Sequence, residues 1–296
     1  MKANALSVPA SESMRQTVWL TGAGGLIGNY LLQTAPACAP QFRVVPLTRS
    51  RLELTDANAV CHAFQQDDPK LVIHCAALTK SPACQADAAL AWKLNVEATA
   101  RLAELASEAP LVFFSSDLVF DGRRGNYAEI DPVNPLSVYA ETKAAAERIV
   151  LAHPQHMVIR TSLNGGVSPT RDRAFNEEMR RAWEQGKAVK LFTDEFRCPI
   201  PAIATAHAIW ELIARRQPGL YHVAGTERLS RWEIGKLLAA RWPQLNPKLE
   251  AASLKDYHGA PRAPDVSLNC AKAQKLLSFP LPGLTQWLAA NPNEPF

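Results

Sequence analysis

The stretch Thr21-Gly22-Ala23-Gly24-Gly25-Leu26-Ile27-Gly28 decides the fold. It directly follows an apolar run typical of a buried strand, Thr17 to Leu20, and it opens a helical run. Glycines permit a tight turn, let the backbone approach a pyrophosphate and let the helix pack closely on its strand. The sequence therefore predicts a dinucleotide-binding turn, although a glycine-rich turn that merely joins a strand to a helix remains the alternative. The matching positions are Gly22, Gly25 and Gly28.

Strand and helix patterns alternate along the first half of the chain. Strands are predicted at Thr17 to Thr21, Phe42 to Leu47, Leu71 to Cys75, Leu111 to Ser115 and His156 to Arg160. Helices are predicted at Leu26 to Thr34, Asp56 to Gln66, Ala86 to Ser107 and Val138 to Leu151. The rhythm then becomes irregular, and Gly219 to Val223 returns the chain to the sheet. This order predicts an α/β fold, a Rossmann-like doubly wound parallel sheet covered on both faces.

A second informative stretch runs from Ser115 to Lys143. Tyr139 and Lys143 are four residues apart on a predicted helix, so their side chains share one face. A positive charge near the phenol favours its ionised form, and we expect Lys143 to lower the pKa of Tyr139 from about 10. Such a tyrosine can exchange a proton near neutral pH, and Ser116 is placed to hydrogen-bond the same substrate oxygen. The alternative for an isolated Tyr-x-x-x-Lys is a surface helix with a half-exposed tyrosine.

Further matches follow in a fixed order along nearly the whole chain. They are Val72 to Thr79, Asn95, Ser115 to Gly122, Tyr127 to Pro132, Pro135, Glu147, Val158 to Ser162, Gly219 to Gly225 and Arg262 to Leu268. With the glycine turn, these residues resemble the extended short-chain dehydrogenase/reductases, and among them the dTDP-4-dehydrorhamnose reductases. The resemblance implies a smaller, interwoven C-terminal substrate-binding domain. The implied boundaries are 17–160 and 198–224 for the NAD(P)-binding domain, and 161–197 and 225–296 for the substrate-binding domain.

The resemblance also implies roles for individual residues. The catalytic residues are Ser116, Tyr139 and Lys143, with Tyr139 protonating a carbonyl oxygen during hydride transfer and Lys143 also anchoring the nicotinamide ribose. The residues implied to line the cofactor are Leu26, Ile27, Leu54, Ala76, Ala77 and Leu78. Asp117 and Arg262 are implied to meet the substrate, Arg262 at the diphosphate of a nucleotide sugar.

The choice of cofactor depends on the end of the second predicted strand. An NAD site usually carries an acidic residue about twenty residues beyond the glycines, whereas an NADP site carries a cation. This chain has Arg49 and Ser50 there, followed by Arg51, and no acid. NADP(H) is therefore the predicted cofactor, with NAD(H) as the alternative, and Arg49 and Ser50 are the candidates for the 2′-phosphate. A plain surface arginine on a turn is the other interpretation.

Several positions depart from the reductase pattern and leave the substrate open. They are Leu118, Ala140, Leu163 and the acid-free segment Ser81 to Gln85. The main hypothesis is an NADPH-dependent reductase of a nucleotide-linked 4-keto-deoxy sugar. One alternative is an epimerase or dehydratase with bound NAD. Another is a non-catalytic NADP-binding partner, because the family also resembles the regulatory subunit of methionine adenosyltransferase.

Composition and charge narrow the classes of partner. The 296 residues are 47% hydrophobic, and a net charge of +4 with interspersed signs predicts no nucleic-acid binding. Six cysteines without a Cys-x-x-Cys pair predict reduced thiols, no metal site and a cytoplasmic location. No apolar run in the sequence is long enough to predict a membrane span. Residues 1–16 are expected to be a disordered leader. A homodimer is a possible assembly.

Overall fold

The computed structural model describes residues 15–296. Its strands, numbered along the chain, are β1 (Gln16–Thr21), β2 (Phe42–Leu47), β3 (Leu71–His74), β4 (Leu111–Ser116), β5 (Met157–Thr161), β6 (Asn164–Gly165), β7 (Ala188–Phe192), β8 (Phe196–Arg197), β9 (Ile200–Pro201), β10 (Gly219–Val223), β11 (Leu229–Ser230) and β12 (Lys248–Ala252). Its helices are α1 (Leu26–Cys38), α2 (Ala57–Asp67), α3 (Ser81–Ala86), α4 (Ala88–Trp92), α5 (Ala98–Leu105), α6 (Val138–Leu151), α7 (Phe175–Glu184), α8 (Ala202–Ala214), α9 (Arg231–Arg241), α10 (Ala271–Gln274) and α11 (Leu284–Ala290).

A six-stranded parallel sheet in the order β2-β1-β3-β4-β5-β10 forms the centre of the protein. The order reverses direction between β1 and β3, which is where doubly wound sheets bind ligands at the carboxyl ends of their strands. The predicted α/β fold with a parallel, doubly wound, Rossmann-like sheet is confirmed. The prediction that Gly219 to Val223 returns to the sheet is also confirmed, because β10 pairs with β5.

Alternate side chains of each strand enter two apolar layers, one on each face of the sheet. On one face, Leu20 and Ile73 belong to a cluster that α1 and α8 cover. On the other, Trp19 and Phe113 belong to a cluster that α2, α5 and α6 cover. Burial on both faces explains why these strands are almost continuously apolar.

A separate apolar cluster lies outside the sheet. It is built largely from α7, α9 and α11, with the parallel pair β7 and β12. Its residues come from both ranges that the resemblance implies for the second domain. The exact domain boundaries stay a prediction.

Two local predictions need correction. The helix expected from Ala86 to Ser107 is not continuous, because Asp87 caps α4 and the segment Lys93–Glu97 is π-helical. Residue Gln16, expected in the leader, begins β1 and pairs with Phe42. Arg15 is described as well, and residues 1–14 of the expected leader lie outside the described residues. Among residues 15–296, no helix has both the length and the apolar character needed to span a bilayer.

Candidate active site

The glycine turn after β1 is packed so tightly that two of its positions accept only glycine. Gly22 has φ of 68°, and a Cβ added there would lie 2.6 Å from the backbone nitrogen of Ala76. A Cβ added at Gly28 would lie 2.4 Å from the carbonyl oxygen of Gly22. The turn thus brings the start of α1 against the carboxyl end of β3. This is the close packing of helix on strand that the glycines of a dinucleotide-binding turn permit.

The residues predicted to line the cofactor surround this turn. Ala76, Ala77 and Leu78 follow β3 and are half-buried. Leu26 is buried at the start of α1, and the remaining two residues, Ile27 and Leu54, are half-buried. The structure therefore brings most of the predicted cofactor residues to the carboxyl edge of β1 and β3.

Arg49 and Ser50 lie on the turn after β2, beside the glycines. Ala23 donates a backbone hydrogen bond to Leu47 at 3.4 Å, which holds this turn against the glycine turn. The Arg49 side chain is 82% exposed, and its Nε donates to Glu53 at 2.8 Å. Exposed ion pairs of this kind contribute little free energy, so the guanidinium remains free to exchange partners.

Ser116, Tyr139 and Lys143 come together beside β3. Ser116 ends β4, and Tyr139 and Lys143 lie on α6, which packs on β4. The Ser116 hydroxyl is close enough to the Tyr139 phenol to stabilise its ionised form. Lys143 Nζ lies 4.0 Å from the ring centroid of Phe113, and both Tyr139 and Lys143 are buried. The predicted catalytic residues thus share one buried site.

The predicted pKa of Tyr139 is wrong in direction. Burial raises the pKa of the phenol and outweighs the opposing hydrogen bond of Ser116. Burial also lowers the pKa of Lys143 to about 7, partly offset by Glu147. Spacing on a helix shows that two groups are neighbours, but it does not show that both are removed from water. Tyr139 therefore carries its proton at neutral pH.

Asn95 joins the cofactor loop to the helix of Tyr139. Its side-chain oxygen accepts from the Leu78 amide at 2.7 Å, and its Nδ2 donates to the Leu78 carbonyl at 3.1 Å. The same Nδ2 donates to Thr142 Oγ1 at 3.0 Å, and Thr142 donates to the Tyr139 carbonyl at 2.7 Å. Sequence reasoning noted Asn95 only as one matching position. Its π-helical segment is a feature often found at functional sites.

Asp117, predicted to meet the substrate, has three protein partners. Ser116 donates to one of its oxygens at 3.1 Å, and Ser162 donates to the other at 2.6 Å. Arg197 Nη1 lies 3.5 Å from the second oxygen. Burial raises the pKa of Asp117, and Arg197 opposes that shift. Ser162 and Arg197 were missed as site residues, because they are far from Asp117 in the sequence.

Arg262 also has an internal partner. Its Nε and Nη2 donate to the two carboxylate oxygens of Glu195 at 2.6 and 2.9 Å. Glu195 accepts a further hydrogen bond from Arg197 at 3.0 Å. Burial opposes the ionisation of Glu195, but Arg197 and Arg262 together hold the pKa of its carboxyl below the usual range. Sequence reasoning gave no role to Glu195.

Comparison with known proteins assigns the chain to a family. The family model described as "RmlD substrate binding domain" matches residues 15–292. This chain belongs to the RmlD substrate-binding domain family. The match covers the six-stranded sheet and the outer cluster around α7 and α9, and it confirms the resemblance found from the motifs.

The proteins that are similar to this RmlD-type chain have different names. Methionine adenosyltransferase 2 subunit beta of Bos taurus is 28% identical over 275 residues, which cover 88% of this chain and 82% of the relative. A hypothetical dTDP-4-dehydrorhamnose reductase of Sulfolobus tokodaii is 29% identical, with a TM-score of 0.81 over 91% of this chain and 97% of that one. A dTDP-4-dehydrorhamnose reductase of Bacillus anthracis in complex with NADP is 24% identical and shares the fold, with a TM-score of 0.85 over 94% and 98% of the two chains.

Proposed function

We propose that this chain is an NADPH-dependent reductase of a nucleotide-linked 4-keto-deoxy sugar. The observation that carries the proposal is the gathering of Ser116, Tyr139 and Lys143 at the carboxyl edge of the sheet, next to the glycine turn. The names of the reductases with the same fold support the substrate class. The activity, the cofactor preference and the site residues are all part of the proposal.

The residues present fit a nicotinamide dinucleotide. Gly22 and Gly28 allow the turn to pack closely against the end of β3 and the start of α1, and the N-terminus of a helix that follows such a turn suits a pyrophosphate. When bound, such a cofactor supplies the hydride. Arg49, with Ser50 beside it, is the candidate for recognising the 2′-phosphate, since β2 is not followed by an acid at the usual position.

The chain itself supplies positioning and a proton. Ser116 and Tyr139 both hydrogen-bond the oxygen of a ketone substrate, and Tyr139 gives its proton as negative charge develops on that oxygen. Its raised pKa suits donation, because the phenol is protonated before the reaction begins. Lys143 follows Tyr139 by one turn of α6, and burial lowers its pKa to about 7, so we assign to it the replacement of that proton or the stabilisation of the phenolate.

The test is an assay for reduction of a dTDP-4-keto-6-deoxy sugar, in which the decrease in NADPH absorbance is measured. Tyr139→Phe should lower turnover by about a hundredfold or more and retain NADPH binding. Tyr221→Phe is the matched control, because Tyr221 is buried in β10 and its hydroxyl makes only a 3.5 Å hydrogen bond to Pro218. Full activity of Tyr139→Phe would refute the mechanism.

A regulatory role is the second candidate. It is favoured by the similarity to the beta subunit of methionine adenosyltransferase 2. In that case NADPH would bind, but no nucleotide sugar would stabilise the protein or be reduced. Thermal stabilisation by a panel of nucleotide sugars with NADPH present separates the two candidates.

A further inference from the structure

A group of charged side chains, buried at its inner end, begins beside Ser116. It contains three arginines, Arg197, Arg231 and Arg262, and two carboxylates, Asp117 and Glu195. Glu195 is 1% exposed, whereas the Arg262 side chain is 34% exposed. The group therefore reaches from the proposed catalytic residues to solvent, and Arg262 is its outer member.

Glu195 occupies the face of Arg262 that is best suited to an anion. A guanidinium binds carboxylates and phosphates most strongly through two parallel N–H donors. Both such donors of Arg262, Nε and Nη2, point to Glu195 at 2.6 and 2.9 Å. Arg262 also lies over the rings of Phe192 and Tyr257, which restrict its movement.

We propose that Glu195 is a specificity-determining residue, because it competes with a substrate diphosphate for the donor pair of Arg262. This inference rests on the proposed function, which supplies a nucleotide-linked substrate. With Glu195 ionised, its negative charge offsets part of the positive charge of Arg197, Arg231 and Arg262. Loss of the Glu195 charge makes the group one unit more positive towards a diphosphate and frees the donor pair of Arg262. Burial of Glu195 keeps solvent ions from screening this difference.

The test measures binding of dTDP by calorimetry to the full chain with NADPH present. Glu195→Gln keeps an acceptor oxygen and removes the charge, so dTDP should bind at least tenfold more tightly. Neutral thymidine should bind the two proteins equally. Glu184→Gln is the control, because Glu184 is half-exposed and accepts from Arg180 at 2.9 Å in a surface ion pair. Folded Glu195→Gln that binds dTDP no more tightly than the native chain would overturn the proposal.

A second measurement tests the proposal if the Glu195→Gln variant folds poorly. If Glu195→Gln unfolds alone, dTDP should restore its folded state, because the diphosphate replaces the missing carboxylate, and failure to restore it would contradict the proposal. Adding Arg262→Met to Glu195→Gln should abolish most of the gain in affinity. None of these measurements needs turnover. They therefore stay interpretable if the reductase activity is absent.

Discussion

The side chain of Asn95 holds the main chain of Leu78 by both its amide and its carbonyl. The two hydrogen bonds, of 2.7 and 3.1 Å, form a closed ring between the helix that follows α4 and the loop that follows β3. A third hydrogen bond, to Thr142, carries the connection to the helix of Tyr139. The loop proposed to line the cofactor and the residue proposed to donate the proton are thus positioned by one buried amide.

Asn95→Ala should therefore impair catalysis and stability together. It leaves the Leu78 backbone groups and Thr142 without their partner, and we expect the free energy of unfolding to fall by about 1–3 kcal/mol. Turnover should fall more than NADPH affinity, since Tyr139 loses its alignment. Asn134→Ala is the control, because Asn134 is exposed and donates only to Asp121. Equal effects of the two variants in urea unfolding and turnover would contradict this role.

Two glycines of the same turn should differ sharply in their tolerance of a methyl group. In Gly28→Ala the new Cβ would lie 2.4 Å from the Gly22 carbonyl, so the turn must move and NADPH binding should be lost. In Gly24→Ala the nearest atom to the Cβ is 3.7 Å away, in the Thr48 side chain. That variant should bind NADPH at nearly the native affinity. Fluorescence titration measures both, and loss of binding in Gly24→Ala would show that the clash is not the cause.

Arg49 and Arg51 provide a matched pair for the question of cofactor preference. If Arg49 contacts the 2′-phosphate, Arg49→Ala should reduce the ratio of NADPH to NADH affinity by about tenfold or more, the effect of one charged contact. Arg51→Ala should change that ratio much less, because Arg51 Nη1 donates to the Pro46 carbonyl at 3.3 Å. A larger effect of Arg51→Ala would show that Arg51, and not Arg49, contacts the 2′-phosphate.

A buried ion pair supports α6 from behind. Arg160 on β5 donates to Glu147 at 2.7 and 2.9 Å, and both side chains are at most 4% exposed. Arg160→Met should reduce the free energy of unfolding by about 3–5 kcal/mol, because it leaves the buried Glu147 carboxylate without its hydrogen-bonded partner. Arg180→Met, which breaks a half-exposed pair with Glu184, should cost less than about 1 kcal/mol. The double variant Glu147→Leu, Arg160→Met should recover part of the loss, and chemical unfolding measures all three.

Three buried histidines should make the fold sensitive to acid. Burial lowers the pKa of His74 and His222 to about 3 and that of His156 to about 4. An unfolded histidine has a pKa of about 6.5, so below that pH the unfolded chain takes up protons that the folded chain does not. Their contribution to stability is present above pH 6.5 and is lost as the pH falls towards 4.

As the pH falls, the free energy of unfolding should decrease by up to about 1.4 kcal/mol per pH unit for each buried histidine. Urea unfolding at pH 7.5, 6 and 5 measures the slope. His156→Gln should reduce that slope, and His62→Gln, on an exposed part of α2, is the control. An unfolding free energy that stays constant from pH 7.5 to 5 would contradict the prediction.

The sheet could be predicted from the sequence because its signals are local. An apolar run, a glycine turn and a helical period lie close together in the sequence from β1 to α1, and β4 and α6 each carry their own local pattern. The break in the helix at Asp87 and the π-helical turn around Asn95 were not predicted, and the hydrogen bonds of Asn95 go to residues distant in the sequence, which no local pattern reports.

The electrostatics of the site could not be predicted in the same way. Ser162 and Arg197 contact Asp117 from positions 45 and 80 residues away in the sequence, and Glu195 contacts Arg262 from 67 residues away. No spacing rule reports such contacts. The direction of the Tyr139 pKa was wrong for a related reason, because the depth of burial belongs to the folded chain as a whole.

The pairing of β10 with β5 has a consequence for how the protein is made. Residues 162–218 separate the two strands, so β5 has no neighbour on one side until Val223 has left the ribosome. Through that interval the growing chain exposes a row of unpaired amides and carbonyls, which are a template for wrong association. We infer that slowing synthesis over residues 162–218 would lengthen the vulnerable period, and that fragments ending before Gly219 would be more prone to aggregate than the full chain.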